Sequence, residues 1–377
     1  MCIILGVGQI RLEEGWVGVA SVVWATFISL YGICQNTYVA WGKREEEERL
    51  TGREEPHRPA KHRIAVVPQI ILVGILSLIT ILLTATLILR ARDASLPPPG
   101  RKYYVNDKTY QVHLACVGNT TDTKTPTILL EAGEFPVENS LQPFINSLYQ
   151  SGSIPRYCYW DRPGIGWSDN APSPHSAGMS ADTLSEALNQ AGETGPWILV
   201  SAGVGSITTR IFTTRHILSI HGLVLIDPMP ESFLSNLANP TRGFLLWLRG
   251  IVSPLGVDRV LGAIFKSRTR EDRIFGISSY QSSKFLKAKL QENLVAGSMT
   301  ASEIRSASQV PMPDTPLVVV SSGVEMRNEN WEKGQKDVAG ITKKLQAWDV
   351  VDGPHEVWRV DEGRKALGRR LGEILEG

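Results

Sequence analysis

The sequence predicts an α/β fold, a mostly parallel and doubly wound sheet with a helical cap, preceded by two transmembrane helices. Two long uncharged apolar stretches lie in the N-terminal hundred residues. From residue 102 onward, short apolar runs alternate with helix-like segments, as strands buried on both faces do between covering helices. The region of about 231–312 contains no strand-like run and many helix formers, which predicts the cap.

Two transmembrane helices are predicted, at 16–40 and 64–90, after an N-terminal segment of 1–15. A membrane-spanning helix needs about 20 predominantly apolar residues, and both stretches are long enough. A signal peptide is the alternative interpretation of the first stretch. That stretch has no basic leader and no obvious small-residue cleavage site, so we favour a spanning helix.

The charged loop at 41–63 predicts the orientation in the membrane. Its 43–63 part is rich in Lys and Arg, and such loops face the cytosol. The C-terminal domain is therefore expected to be lumenal or extracellular, although basic residues also follow the second span: Arg90, Arg92, Arg101 and Lys102. Asn119-Thr120-Thr121 is a glycosylation sequon that suits a lumenal domain. A Pro-rich linker at 91–101 would hold the domain close to the bilayer.

The domain at 102–377 is predicted to contain a series of short strands. In chain order they are Tyr103–Val105, Tyr110–Val117, Pro126–Glu131, Arg156–Trp160, Trp197–Val200, Gly222–Ile226 and Leu317–Val320, with a polar helix at Ala181–Ala191 before the fifth. Ligands of parallel sheets bind beyond the carboxyl ends of the strands. The most apolar piece of the cap, Gly243–Val252, is interpreted as cap core or a pocket wall, or alternatively as a face that enters the membrane interface.

A catalytic turn without its nucleophile is predicted at Ile198–Ser206. In many hydrolases a buried strand ends in Gly-x-Ser-x-Gly, and the serine stands on a strained turn into a helix. Here the strand and the final glycine, Gly205, are present, but Gly203 occupies the serine position. Glycine tolerates the strained backbone because it lacks a Cβ atom. The turn is therefore expected to persist without the hydroxyl.

Several ordered motifs resemble the α/β-hydrolase superfamily, in the branch with a Tyr-Asp-Arg-x-Gly-x-Gly-Trp-Ser-Asp signature. The signature corresponds to Tyr159–Asp169 here, with one residue inserted before Asp161. The other matching segments are Leu129–Gly133, Gly222–Pro228, the Trp331–Gln335 pair and Gly353–Val357. The resemblance covers about 102–377, and membrane-anchored proteins of this kind are familiar from fungi.

The resemblance implies roles for individual residues. His355 lies where the family has its general base, and either Asp227 or Glu325 would be the acid that orients it. The oxyanion hole would use the backbone N–H of Val204 and one near Glu134 or Phe135. The Glu134 carboxylate is a second departure from the family's site, after Gly203, because the negative charge of an oxyanion would have to develop beside it.

Two nearby hydroxyls could replace the absent nucleophile. Ser201 lies two residues before Gly203 and Ser206 lies three residues after it. A misplacement of about 1 Å can reduce the rate a hundredfold, so neither position is favourable. Cys116 and Cys158 fall on strands that neighbour each other in the family's sheet order. They are either free thiols or, in a lumenal domain, a disulfide.

Three hypotheses for the function remain open. The first is a membrane-anchored, catalytically inactive protein that binds a hydrophobic small molecule or a partner. The second is an ester or lipid hydrolase that uses an unusual nucleophile or a water activated by His355. The third is a structural subunit whose pocket is filled. A net charge of +1 gives no indication of nucleic-acid binding, and we expect neither a cofactor nor a metal.

Overall fold

Two long apolar helices begin the chain. The computed structural model describes residues 6, 8–51, 60–119, 125–312 and 314–376. Helix α1 (Gly8–Thr51) and helix α2 (Ala60–Ala94) contain segments that are long and apolar enough to cross a membrane, Val19–Glu46 and Ile70–Ala94. Only 6% of each segment's most apolar window is buried within the protein, unlike the core helix of a soluble domain.

Helix α1 continues beyond the predicted 16–40 segment into the charged sequence. An ion pair between Arg49 and Glu45, one turn apart at 3.0 Å, supports this extension. The rest of the charged loop, 52–59, lies outside the described residues. So do 1–5 in the N-terminal segment and both threonines of the sequon.

An eight-stranded sheet forms the centre of the C-terminal domain. Its strands are β1 (Arg101–Val105), β2 (Tyr110–Val117), β3 (Thr127–Glu131), β4 (Tyr157–Trp160), β5 (Trp197–Ala202), β6 (Ile220–Ile226), β7 (Leu317–Ser322) and β8 (Leu345–Val351). Their spatial order is β1-β2-β4-β3-β5-β6-β7-β8. The first two strands pair antiparallel, β2 pairs antiparallel with β4, and the remaining pairs are parallel.

Two hydrophobic layers cover the sheet because successive strand side chains point to opposite faces. On β5, Leu199 belongs to one layer, whereas Ile198 and Val200 belong to the other. The first layer is covered by helices α4 (Ala177–Ala191), α5 (Gly205–Arg215) and α12 (Glu329–Ala339); the second by α3 (Gln142–Gln150) and α13 (Asp361–Glu376). The predicted α/β-hydrolase fold is thus the fold of this domain.

Helix α4 begins four residues before the predicted start at Ala181. The Ser176 hydroxyl accepts a hydrogen bond from the Met179 backbone N–H at 3.2 Å and caps the helix. The capping serine, rather than the polar run that follows it, sets the first turn.

The cap is a helical insertion between β6 and β7. Its helices are α6 (Leu234–Leu237), α7 (Pro240–Val252), α8 (Val257–Phe265), α9 (Arg270–Ile274), α10 (Ser283–Val295) and α11 (Ala301–Ser308). The apolar run Gly243–Val252 does not form the core of the cap, because its large side chains are exposed: Phe244, Leu245, Trp247, Leu248 and Val252.

The cap is fastened to the end of α2 by buried polar contacts. Arg273 of α9 donates hydrogen bonds to Asp93 at 2.6–3.0 Å, and both side chains are at most 10% exposed. The Thr86 hydroxyl donates to the Leu255 carbonyl at 3.0 Å. The other apolar helix, α1, packs against α7 and α10. Cap and apolar helices therefore form a continuous body.

A disulfide joins the neighbouring strands β2 and β4. Cys116 and Cys158 lie directly opposite each other in the antiparallel register and are bonded. Of the two states left open by the sequence, the structure thus contains the disulfide. Cys34, on α1, is a free and exposed thiol.

Candidate functional site

Gly203 forms the tip of a tight turn between β5 and α5. Its φ of +48° lies in the left-handed region, which residues with a Cβ atom rarely adopt. Its N–H donates to the Ile226 carbonyl at 3.0 Å, which fixes the turn against β6. Gly205 is also required, because a Cβ atom there would collide with the Ala132 carbonyl. The turn therefore has the form of a nucleophile elbow without a nucleophilic side chain.

His355 and Asp227 form a hydrogen-bonded pair beside this turn. His355 Nδ1 lies 2.5 Å from Asp227 Oδ2, and the Asp227 side chain is fully buried at the end of β6. The other carboxylate oxygen accepts hydrogen bonds from Trp331 Nε1 at 3.0 Å and the Ser322 N–H at 3.2 Å. Asp227 also holds a positive φ of 41°, a strained conformation for a residue with a Cβ atom.

The charge environment of His355 favours the imidazolium form. Burial lowers the pKa of His355, but the hydrogen bond and charge of Asp227, together with the charges of Glu134 and Glu325, raise it overall. A carboxylate that orients a histidine and stabilises its cation is the arrangement of an acid–histidine dyad. The structure brings together the base and one of the two candidate acids.

The imidazole occupies the space of the absent nucleophile. A Cβ atom built on Gly203 would lie 2.6 Å from His355 Nε2 and 3.0 Å from Cε1. Carbon atoms of real side chains do not approach so closely, so the ring lies against the Gly203 backbone. In a working serine hydrolase this nitrogen would accept a proton from a hydroxyl on that side chain.

The remaining candidates lie away from the imidazole. Ser201 is fully buried on β5, and its hydroxyl has no hydrogen-bond partner. The Ser206 hydroxyl donates to the Gly203 carbonyl at 2.7 Å and accepts from the Met229 N–H at 3.1 Å. Its position is thus structural. Glu325 is exposed after β7 and contributes only its charge.

The candidate oxyanion residues flank the turn. Val204 directly precedes α5 and is buried. The Glu134 side chain is 39% exposed, and its Oε2 atom lies 3.9 Å from the ammonium of Lys289 on the cap helix α10. The negative charge that the sequence places beside the oxyanion position is therefore partly compensated by a buried lysine.

A buried chain of charges, not predicted from the sequence, continues from Lys289. Lys289 contacts Glu292 at 2.9 Å, Glu292 lies 3.6 Å from Arg162, and Arg162 Nε lies 3.2 Å from Glu131. Burial raises the pKa of the Glu131 carboxyl to about 8, although the charge of Arg162 and the Trp160 indole N–H lower it. The Tyr159–Asp169 signature contained Arg162, but nothing in α10 identified its partners.

The cavity next to the elbow is small. Its volume is about 40 Å³, and it is lined by residues of the elbow, α4 and α10. Arg162, His175 and Glu292 contribute to the lining, and burial lowers the pKa of His175 to about 4. Ligand pockets usually measure roughly 300–1,000 Å³. This cavity is therefore smaller than a usual small-molecule site.

One buried cluster in the described part of the chain has the donor types of a metal site. His113, Glu138 and Asp161 offer ligand atoms within 4.8 Å of one another. His113 Nδ1 lies 2.9 Å from Asp161 Oδ2, and its Nε2 contacts the Pro99 carbonyl. These contacts occupy both ring nitrogens of His113 and tie the linker to the sheet.

Comparison with solved structures shows the same fold. An alpha/beta hydrolase enzyme from a Medee basin deep-sea metagenome library matches with a TM-score of 0.51 and 11% identity, covering 74% of this chain and 98% of that one. A crystal structure of DBJA matches with a TM-score of 0.53 and 15% identity, again over 74% and 98%.

Comparison with known sequences identifies relatives in yeasts. A family model for a "Region of unknown function (DUF2417)" matches residues 1–116. An uncharacterized vacuolar membrane protein of Saccharomyces cerevisiae is 27% identical over 71% of this chain and 50% of its own length. An uncharacterized protein of Schizosaccharomyces pombe is 34% identical over 98% of this chain and 75% of its own length. The chain therefore belongs to the same family as this Schizosaccharomyces pombe protein.

Proposed function

We propose that this chain is a two-pass integral membrane protein whose α/β-hydrolase domain has lost covalent catalysis and acts by binding. The observation that carries the proposal is Gly203, a residue without a side chain at the tip of the elbow. An acyl intermediate needs an oxygen or sulfur atom at that tip. Ser201 and Ser206 do not supply it, because neither hydroxyl contacts the imidazole of His355.

The site retains the groups that support a nucleophile. Asp227 still orients His355, and the backbone around Val204 still forms the turn. Without a nucleophile, such sites keep only the catalysis of binding and oxyanion stabilisation, about 10³–10⁴-fold over water. The close approach of the ring to Gly203 also leaves no room for a water molecule between them. These features favour a binding protein over an enzyme.

The proposed orientation places the C-terminal domain in the lumen or outside the cell. The basic residues of 43–63 favour a cytosolic loop, so both flanking segments lie on the opposite side. The disulfide between Cys116 and Cys158 supports this, since disulfides persist in oxidising compartments. The vacuolar membrane assignment of the Saccharomyces cerevisiae relative favours an internal membrane.

A hydrophobic ligand or partner would bind outside the cap rather than under it. The cavity at the elbow is too small, whereas an open groove of about 520 Å³ lies between α7 and α10. Phe244, Trp247, Leu290 and Leu294 line this groove. Its size and apolar lining are those of a small-molecule site.

The second candidate function is hydrolysis of esters or lipids by a water activated by His355. The intact contact of 2.5 Å between His355 and Asp227 favours it, because a strand-end carboxylate has kept its orienting position. This mechanism would need the imidazole to withdraw from Gly203 and admit water. It would form no covalent intermediate.

Ester turnover distinguishes the two functions. We expect the purified full chain in detergent micelles to hydrolyse p-nitrophenyl acetate and butyrate no faster than the His355→Gln variant. The matched control is His216→Gln, a histidine at the far end of α5. A wild-type rate about tenfold above His355→Gln, retained in His216→Gln, would instead identify an active hydrolase.

A further inference from the structure

A third cavity, larger than the one at the elbow, lies where the cap meets helix α2. Its volume is about 430 Å³. Its walls come from the end of α2, from α7, from the start of α8 and from the segment that leads into α10. It shares no lining residue with the small cavity beside Gly203. Whatever binds here is therefore independent of the proposed loss of catalysis.

The charge of this cavity is positive. Three arginines line it, Arg90, Arg249 and Arg259. One carboxylate, Asp258, also lines it, so the lining residues carry a formal net charge of +2. Hydroxyl groups add hydrogen-bond donors, among them Ser283, which lies 3.3 Å from Arg90 Nη2. The cavity also contains the N-terminus of the 13-residue helix α10, whose positive dipole end adds to the field.

Apolar side chains of α7 and α8 also line the cavity. Leu248, Val252 and Val257 line it and are each at least 37% exposed. Further exposed apolar side chains extend this surface along α8, including Ile264 and Phe265. Because α8 packs against α2, the surface is continuous with a helix that is long and apolar enough to span the membrane.

We propose that this cavity binds the phosphate headgroup of an anionic glycerophospholipid, with the acyl chains lying along the exposed apolar faces of α7 and α8. Guanidinium groups bind phosphate through paired, charge-assisted hydrogen bonds, which a single lysine cannot reproduce. A soluble phosphate would satisfy the arginines but would leave the adjoining apolar surface uncovered.

Lipid titration of the full chain in detergent micelles tests this site. Native mass spectrometry would count adducts of phosphatidic acid and of phosphatidylcholine with identical acyl chains. We expect tighter retention of phosphatidic acid, weakened about tenfold in the Arg249→Gln/Arg259→Gln variant, which corresponds to about 1.4 kcal/mol. Asp258→Asn should strengthen binding, since it removes the only acidic group of the lining.

The matched control is Arg305→Gln/Lys343→Gln, which removes the same charge from exposed positions on α11 and after α12. It should bind phosphatidic acid like the wild type. Equal retention of the two lipids, or equal loss in both double variants, would overturn the proposal. Displacement of the lipid by millimolar inorganic phosphate or glycerol 3-phosphate would also overturn it, because the site would then recognise a soluble anion.

Discussion

At the residue scale, the imidazole of His355 fills the space that a side chain at position 203 would need. The turn keeps a φ of +48°, the conformation in which an elbow presents its side chain. A substitution Gly203→Ser would not simply restore a nucleophile, because its Cβ atom would meet the imidazole at 2.6 Å. The ring would have to withdraw while remaining bound to Asp227. The glycine at position 203 and the close approach of the imidazole to the turn are thus linked.

Because of this contact, even an alanine at position 203 should destabilise the protein. Gly203→Ala should lower the melting temperature of the full chain more than Gly152→Ala does. Gly152 also has a positive φ, +75°, but a Cβ atom there would meet nothing within 4 Å. The control therefore carries only the backbone cost, about 1 kcal/mol, whereas overpacking against His355 adds about 1–3 kcal/mol.

The comparison is made by thermal unfolding followed by tryptophan fluorescence. In the double variant Gly203→Ala/His355→Ala, the extra decrease caused by the alanine at 203, measured relative to His355→Ala, should shrink to that of Gly152→Ala. Equal decreases for the two single alanine variants would contradict the collapsed geometry, since the ring would then move aside without resistance.

The sequence predicted that position 203 has no side chain, but not that the imidazole of His355 lies against the turn. Gly203 was recognisable because a strand and a following glycine frame it. The choice between Asp227 and Glu325 was not decidable, because both residues follow buried strands. Only the positions of Trp331 and the Ser322 N–H, which hold Asp227 toward His355, distinguish them. Such contacts join residues about a hundred positions apart and leave no local pattern.

At the element scale, burial decides which elements could be predicted from the sequence. The strands β3, β5, β6 and β7 are buried on both faces and were recognisable as apolar runs. The range of β8 was not predicted, because only Val351 of this edge strand is buried and the strand therefore lacks a continuous apolar run. For helix α7 the sequence left cap core, a pocket wall and a membrane-interface face open. Its large apolar side chains are exposed, which excludes the first, and Phe244 and Trp247 line a groove.

The buried ion pair between Arg273 of α9 and Asp93 of α2 leads to a prediction about how the cap is attached. Asp93→Asn should destabilise the full chain by about 3 kcal/mol or more, because Arg273 would remain buried without its counter-charge. The control is Glu332→Gln in the exposed pair with Lys336, at 2.6 Å, which should change stability by at most about 0.5 kcal/mol.

Chemical denaturation in micelles, with limited trypsin digestion of the cap as a second readout, would measure both variants. We expect earlier cleavage within the cap of Asp93→Asn only. Similar stability of the two variants would mean that the cap is held to α2 by its apolar contacts, and that the buried ion pair contributes little.

At the scale of the whole molecule, the two apolar helices and the cap pack into one body. The buried clamp at Asp93 holds the cap beside the end of α2, so the domain is not a freely tethered unit. The orientation that we propose for this assembly rests on the distribution of basic residues and on the disulfide. The extent of the contact could not be predicted, because the partners lie about 180 residues apart.

Protease protection tests the proposed orientation. In sealed vesicles that contain the full chain in its cellular orientation, added trypsin should cleave the loop at 43–63 and leave the C-terminal domain intact. Cys116 and Cys158 should then be recovered as one disulfide-linked peptide pair from the protected fraction. Digestion of the C-terminal domain before the vesicles are opened would contradict the proposed orientation and indicate the opposite one.

If the elbow has lost covalent catalysis, no atom there can be acylated or phosphonylated. Intact-mass spectrometry of the full chain after exposure to a fluorophosphonate measures this directly. We expect no stoichiometric adduct under conditions that fully label an active serine hydrolase. A heat-sensitive adduct that maps to Ser201 or Ser206 would contradict it.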